Sequence, residues 1–349
     1  MRRQHSSGNK YVPTKVSTQR RPRLQRPFPS STMHPFSLLI ATIVLLSSTT
    51  TTTVHAQVPT SVCCMAYSTI DENMLYIQGG LTGTARTQSN QFIALDLTVS
   101  SWSTSSPPWL IPPMTQTTVP PTASYHSMTT ARDRFNLFIW DPFQTNPWWT
   151  FNINAMYWAN FTIPLPVTKE QGVRNGVDLN TGNVYIPSGN SNGGQMIMNT
   201  PGLSPLPVSP MPAELMPVPV RQESFVWSTY RNSFLHYGGR TIGATSSANP
   251  HLNEFSPTSS WSPLTTTGTS PGDVSGHCMV PAYGGTKMIL FGGAGLDGVA
   301  KAGIYILDVR TREWTEGKAV GPAQARANMA CAVAGDSFLA WGGKICKKM

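Results

Sequence analysis

A unit of near fifty residues recurs along this chain, and that period constrains the fold more than any single residue does. The clearest copy opens on a short run of small residues, Gly276-His277-Cys278-Met279-Val280. An apolar run, Lys287-Met288-Ile289-Leu290-Phe291, then ends in the pair Gly292-Gly293. Ile304-Tyr305-Ile306-Leu307-Asp308 follows, and Trp314 sits in a last segment. The first copy has Leu75-Tyr76-Ile77-Gln78 before Gly79-Gly80, then Phe92-Ile93-Ala94-Leu95-Asp96, with Trp102 assigned to its final segment. The fourth has Ser233-Phe234-Leu235-His236-Tyr237 before Gly238-Gly239, and Trp261 at the same distance beyond. The sixth, Ser337-Phe338-Leu339-Ala340-Trp341 with Gly342-Gly343, is followed by only a few residues. The second and third copies are degenerate: Leu137-Phe138-Ile139-Trp140 runs into Asp141-Pro142, and Val184-Tyr185-Ile186 into Pro187-Ser188-Gly189.

Each part of the unit has a physical reason. The apolar runs are five or so residues long and β-prone, as strands buried on both faces are. A glycine pair lets the backbone take positive φ where a Cβ would collide with a neighbouring sheet. The tryptophan offers a large apolar area between sheets, and its indole N–H seeks a partner when buried. A lone four-stranded sheet cannot bury both faces, so the copies must stack around an axis. The expected fold class is all-β: a β-propeller of about five blades plus an incomplete sixth, over residues 57–349. The repeat resembles the kelch repeat, as in fungal-type extracellular kelch proteins and the central domain of galactose oxidase.

Residues 1–56 read as a separate leader. Eight Arg and Lys residues precede residue 27, and no acid occurs before Asp71. The apolar run Phe36–Leu46, a threonine tract and Val54-His55-Ala56 then give the order of a secretory signal and its cleavage site. A start at Met33 would give a more ordinary signal length; a mitochondrial presequence is the rival reading of the same composition. The leader also accounts for the charge: removing its eight cations from the formal +9 leaves +1. The body therefore shows no basic patch with interleaved aromatics, and no nucleic-acid partner is expected.

The resemblance carries an expectation about the other end. Fungal kelch proteins of this type commonly finish the propeller and continue through a transmembrane helix. Here Gly342-Gly343 is followed by Lys344-Ile345-Cys346-Lys347-Lys348-Met349. The expectation is a truncated or alternatively spliced chain, with an open ring, an uncovered edge and no membrane span after residue 57.

The sharpest catalytic reading comes from the resemblance, since a galactose-oxidase-like copper site needs two histidines, two tyrosines and a cysteine. The body offers His126, His236, His251 and His277, none in a His-x-His or His-His pair. His126 and His277 open innermost strands, where a polar side chain would satisfy backbone groups between blades. Glu223, Glu254, Glu313 and Glu316 are scattered and read as solvated. No nucleophile elbow, zinc-protease helix or phosphate loop is present. No catalytic residue, metal or cofactor is expected; fold sharing carries no activity without the site.

The remaining features are smaller. Cys278 and Cys331 hold the same place in consecutive innermost strands, so a disulfide could join them, against the alternative of buried free thiols. The adjacent Cys63-Cys64 pair could tether the amino end to another element, which the sequence does not identify. Asn160-Phe161-Thr162 is a glycosylation sequon, with a buried strand as the competing reading. Trp148-Trp149 and Tyr157-Trp158 could stack on carbohydrate but more often pack between blades. The function expected is a non-catalytic, secreted interaction module binding a protein or glycan through its loops. The alternatives are a copper oxidase or a product without independent function.

Overall fold

The computed structural model describes residues 59–115, 119–145, 147–161, 172–187, 195–199, 204–208, 220–241 and 251–343. The leader, Thr162, Ser188-Gly189 and Cys346 lie outside the described residues. The described structure is β throughout, with a single 3-10 turn at Pro322–Gln324 and no α-helix.

Blade 1 comprises Ala66–Ile70, Met74–Gln78, Phe92–Asp96 and Trp109–Leu110, in that order from the axis outward. Blade 2 comprises Ser127–Thr130, Asn136–Trp140, Trp148–Asn152 and Tyr157–Phe161. Blade 3 comprises Gly176–Val177, Val184–Ile186, Gln195–Asn199 and Ser204–Val208. Blade 4 comprises Ser224–Ser228, Ser233–Tyr237, Leu252–Ser256 and Ser260–Pro263. Blade 5 comprises Cys278–Ala282, Lys287–Phe291, Ile304–Asp308 and Glu313–Glu316, edged by Thr267–Gly268 running parallel to the last. Blade 6 has two strands among the described residues, Ala330–Ala334 and Ser337–Trp341. All pairings within a blade are antiparallel.

The innermost strands close a ring where an open one was expected, while blade 6 keeps two strands among the described residues, as the incomplete sixth blade expected from the sequence. The innermost strand of each blade packs beside that of the next, and Ala330–Ala334 packs beside Ala66–Ile70. Six backbone hydrogen bonds then run in a cycle where the innermost strands begin. Cys64 N–H donates to Asn328 O, Asn328 to Gly276, Gly276 to Gln222, Gln222 to Gly172, Gly172 to Tyr125 and Tyr125 to Cys64, all between 2.6 and 2.8 Å. Every member of the cycle has positive φ, from 55° at Asn328 to 81° at Gly172. One left-handed residue per blade turns the chain sharply so that N–H and C=O both point along the ring.

The glycine pair explains how blades meet. At Gly292 an added Cβ would lie 2.5 Å from Arg326 O and 2.6 Å from Met329 Cε of the next blade. At Gly342 it would lie 2.5 Å from Val62 O and 2.6 Å from Met65 Cε of blade 1. The second glycine donates its N–H across the same junction: Gly80 to Ala123, Gly239 to Val274, Gly293 to Arg326 and Gly343 to Val62, at 2.8–2.9 Å. The junction of blade 6 with blade 1 is thus built like those between blades 1 and 2, 4 and 5, and 5 and 6. It is also packed. Val62, Met65, Leu75, Ile77, Leu95 and Trp109 bury themselves with Ala330 and Ala332, and Trp109 meets Trp341 edge-on at 5.1 Å. Burial of that kind stabilises at roughly 25 cal/mol per Å² of apolar surface removed from water.

Trp102 requires a correction. It lies in a loop, half-buried against the closing cluster, and the residue equivalent to Trp261 and Trp314 is Trp109. Trp109 pairs with Leu95, as Trp261 pairs with Phe255 and Trp314 with Leu307. The connection before the last strand of blade 1 is longer than in blades 4 and 5, so equal spacing from the glycine pair marked the wrong indole. The indole N–H groups of Trp261 and Trp314 are buried without a hydrogen bond, contrary to the expected partner. Apolar packing decides their position.

Candidate functional site

Two cavities lie near the axis, one on each side of the hydrogen-bonded cycle in their linings. The first, of about 160 Å³, is lined by the cycle members Tyr125, Gln222 and Asn328 together with Arg86, Arg221 and Arg240. Among the described residues no acidic one lines it. Arg221 and Arg240 face each other as register partners in the two-stranded ribbon Val220–Arg221 and Arg240–Thr241. Like charges directly opposed across a ladder are destabilising, so the ribbon holds two cations together against their repulsion. Arg240 donates to Gly295 O at 3.2 Å, and Arg86 donates to Tyr125 Oη at 2.9 Å. The ion pairs of the described residues employ Arg134, Arg231, Lys287 and Arg310; none employs Arg221 or Arg240. The mouth is a guanidinium cluster with fork-shaped donors turned to a concave surface, suited to carboxylates.

The second cavity, of about 250 Å³, follows the innermost strands and is lined from all six blades. Behind the cycle comes a buried layer: Met65, His126, Val173, Glu223, His277 and Met329. His126 bonds Gln78 Oε1 of blade 1 through Nε2 at 2.5 Å, and His277 bonds Ser224 Oγ of blade 4 at 2.9 Å. Both histidines therefore tie one blade to the preceding one through side chains, where the sequence suggested backbone partners. Burial, with the Arg174 charge as a second cause, holds both imidazoles down at about 3; burial alone holds His236 at about 4. All three are neutral at pH 7. His251 is exposed at the start of Leu252–Ser256.

Glu223 departs most from its sequence reading. It is fully buried, not solvated, and accepts from the Arg174 amide at 3.1 Å while its Oε2 makes no hydrogen bond. Burial pushes its carboxyl up to about 7. Glu254 is held by a two-pronged ion pair with Arg231 and a bond from Ser233, which places it in blade architecture. Glu313 and Glu316 are exposed on the outermost strand of blade 5.

Other sequence candidates fall into place separately. Cys278 and Cys331 are joined as a disulfide between blades 5 and 6, with Cα atoms 6.2 Å apart. Cys63 and Cys64 lie side by side with sulfurs at 2.8 Å. Asn160 is exposed on the outermost strand of blade 2. Trp148 and Trp158 are buried, with Trp158 packed edge-on against Phe92 of blade 1. Those two indoles are therefore packing residues and offer no stacking surface. Among the described residues no group of three or more His, Cys, Asp or Glu could hold a metal.

Sequence reasoning missed the arginines. Arg86, Arg221 and Arg240 come from blades 1 and 4 and are distant in sequence, so the body's near-zero balance concealed a local cluster. One signal was legible: Arg240 directly follows Gly238-Gly239, and that position faces the mouth.

A family model described as the KLHDC2/KLHL20/DRC7 Kelch-repeats domain matches residues 219–348. The chain carries kelch repeats. The match covers blades 4 to 6, where the glycine pairs are intact. No curated protein matches the kelch chain. Kelch domains mediate protein interactions, and the arginine mouth of this kelch propeller lies where innermost-strand entries and glycine-pair loops converge. No helix among the described residues is long and apolar enough to cross a membrane.

Proposed function

We propose that this kelch propeller is a non-catalytic recognition module that docks an acidic protein segment on its arginine mouth, outside the cell. The observation that carries the reading is the opposed pair Arg221 and Arg240, beside Arg86, in a concavity that no carboxylate lines among the described residues. A partner's Asp or Glu side chains supply the missing charge, and bidentate guanidinium contacts give orientation as well as attraction. Extracellular placement is supported by the signal-like leader, the interblade disulfide and the exposed Asn160 of a sequon. A copper oxidase finds no support in the geometry, because His126 and His277 are spent on contacts between blades and no described cluster of His, Cys, Asp or Glu stands ready for a metal.

Fluorescence anisotropy with a labelled ten-residue glutamate-rich peptide tests the reading. The wild-type chain should bind it with an affinity that falls as salt rises. Arg221→Ala and Arg240→Ala should each weaken binding about tenfold or more, the loss of a charge-assisted bond of ~1.5–3 kcal/mol. Unchanged affinity in both variants would sink the assignment, and tighter binding of a sulfated oligosaccharide than of the peptide would reassign the mouth to glycans.

A further inference from the structure

We infer that the axial cavity is a second, independent binding site, for a small hydroxylated carboxylate such as a sugar acid. The central group is Arg174, whose guanidinium carbon stands 5.3 Å from the centre of the Tyr67 ring. Stacking on an aromatic face holds a guanidinium in place without using its N–H donors. Among the described residues that guanidinium takes part in no ion pair and no hydrogen bond; the bond Arg174 does make is from its backbone amide to Glu223. It is half-buried and lines the cavity.

A second observation points the same way. Asn175, the next residue and 95% buried, has its Oδ1 occupied by Ser127 while its Nδ2 has no partner. Arg174 and Asn175 are thus adjacent in one lining, and each holds N–H donors that no described residue accepts. Hydroxyls complete the chemistry. Thr130 Oγ1 donates to Thr69 O at 2.8 Å, so Ser68 donates to Thr130 at 2.7 Å and keeps lone pairs for a ligand hydroxyl. Thr129 and Thr229 lie in the same lining.

Size narrows the class. A volume of about 250 Å³ equals that of roughly eight water molecules at ~30 Å³ each. It lies below the ~300–1,000 Å³ typical of drug-sized ligands. A monosaccharide acid or hydroxy acid matches that volume. Charge agrees with this. Among the described residues the one carboxyl in the lining is Glu223, which burial keeps largely protonated through the mildly acidic range, so it does not neutralise Arg174 there.

The test is calorimetric titration of the full chain with D-glucuronate, using D-glucose as the neutral counterpart. Glucuronate should bind at least tenfold more tightly than glucose. Arg174→Gln should abolish that preference while retaining the wild-type melting profile. Because Arg174 also packs on Tyr67, Ser68→Ala provides a second variant, expected to weaken glucuronate several-fold. The double variant Arg221→Ala/Arg240→Ala should bind glucuronate normally, which separates this site from the mouth. Equal affinity for glucuronate and glucose, an unchanged preference in Arg174→Gln, or loss of glucuronate binding in the double mouth variant would each overturn the inference.

Discussion

Replacing Gly342 by alanine tests whether the ring is closed. The new Cβ would sit 2.5 Å from Val62 O and 2.6 Å from Met65 Cε, at a backbone φ of 65°. An L-residue in left-handed backbone costs about 1–2 kcal/mol, and forcing a methyl into a filled junction adds about 1–3 kcal/mol. The total is about 2–5 kcal/mol, or roughly 4–10 °C in Tm at ~2 °C per kcal/mol for a large domain. Two controls isolate the closing contact. Gly292→Ala meets Arg326 O and Met329 Cε at the same distances within the continuous part of the ring, so it should cost as much. Gly335→Ala, in the blade 6 hairpin with φ 55° and nothing within 4 Å, should cost the backbone part alone. Differential scanning calorimetry of the three variants decides the matter. If Gly342→Ala melts like Gly335→Ala while Gly292→Ala is clearly lower, blade 6 does not rest on blade 1 and the closed ring is wrong.

The indole assignment predicts that Trp109→Ala destabilises by about 3–5 kcal/mol, as a buried aromatic does, whereas Trp102→Ala costs clearly less; urea denaturation giving the reverse order would restore the spacing argument. Acid should weaken the fold. The neutral forms of His126, His236 and His277 are favoured on folding, so their contribution is full above about pH 6.5 and is lost as pH falls toward 4 and 3. Glu223 opposes this: its contribution is full below about pH 4.5 and is lost as pH rises through about 7. Three histidines against one carboxyl leave a net loss on acidification from pH 6.5 to 4.5, and a Tm at pH 5 equal to or above that at pH 6.5 would contradict it.

What was legible in the sequence was whatever is local. Strands such as Lys287–Phe291 and glycine pairs such as Gly292-Gly293 are set by side-chain period and backbone sterics within one unit, so blade number followed from counting them. Closure was not legible, because the contact of Gly342 with Val62 joins residues at opposite ends of the body. The Trp102 reading failed for a related reason: spacing transfers between repeats only while the intervening hairpins keep their length. The mouth and the axial cavity were hidden most thoroughly. Arg86, Arg174, Arg221 and Arg240 are each unremarkable in their own repeat, and only the radial stacking of blades brings three of them together and encloses the fourth. Glu223 looked like a loop carboxylate because nothing near it in sequence reveals that it stands in the buried layer beside His126 and His277.

The most direct test of the functional account is the NMR response of arginine side-chain Nε–Hε signals during titration with the glutamate-rich peptide. Arg231, already held by Glu254 in blade 4, serves as an internal reference. The account predicts saturable shifts at Arg221 and Arg240, with Arg231 and Arg174 unmoved. Shifts confined to Arg134 and Arg310, whose ion pairs lie away from the mouth lining, or uniform shifts abolished by moderate salt, would contradict it.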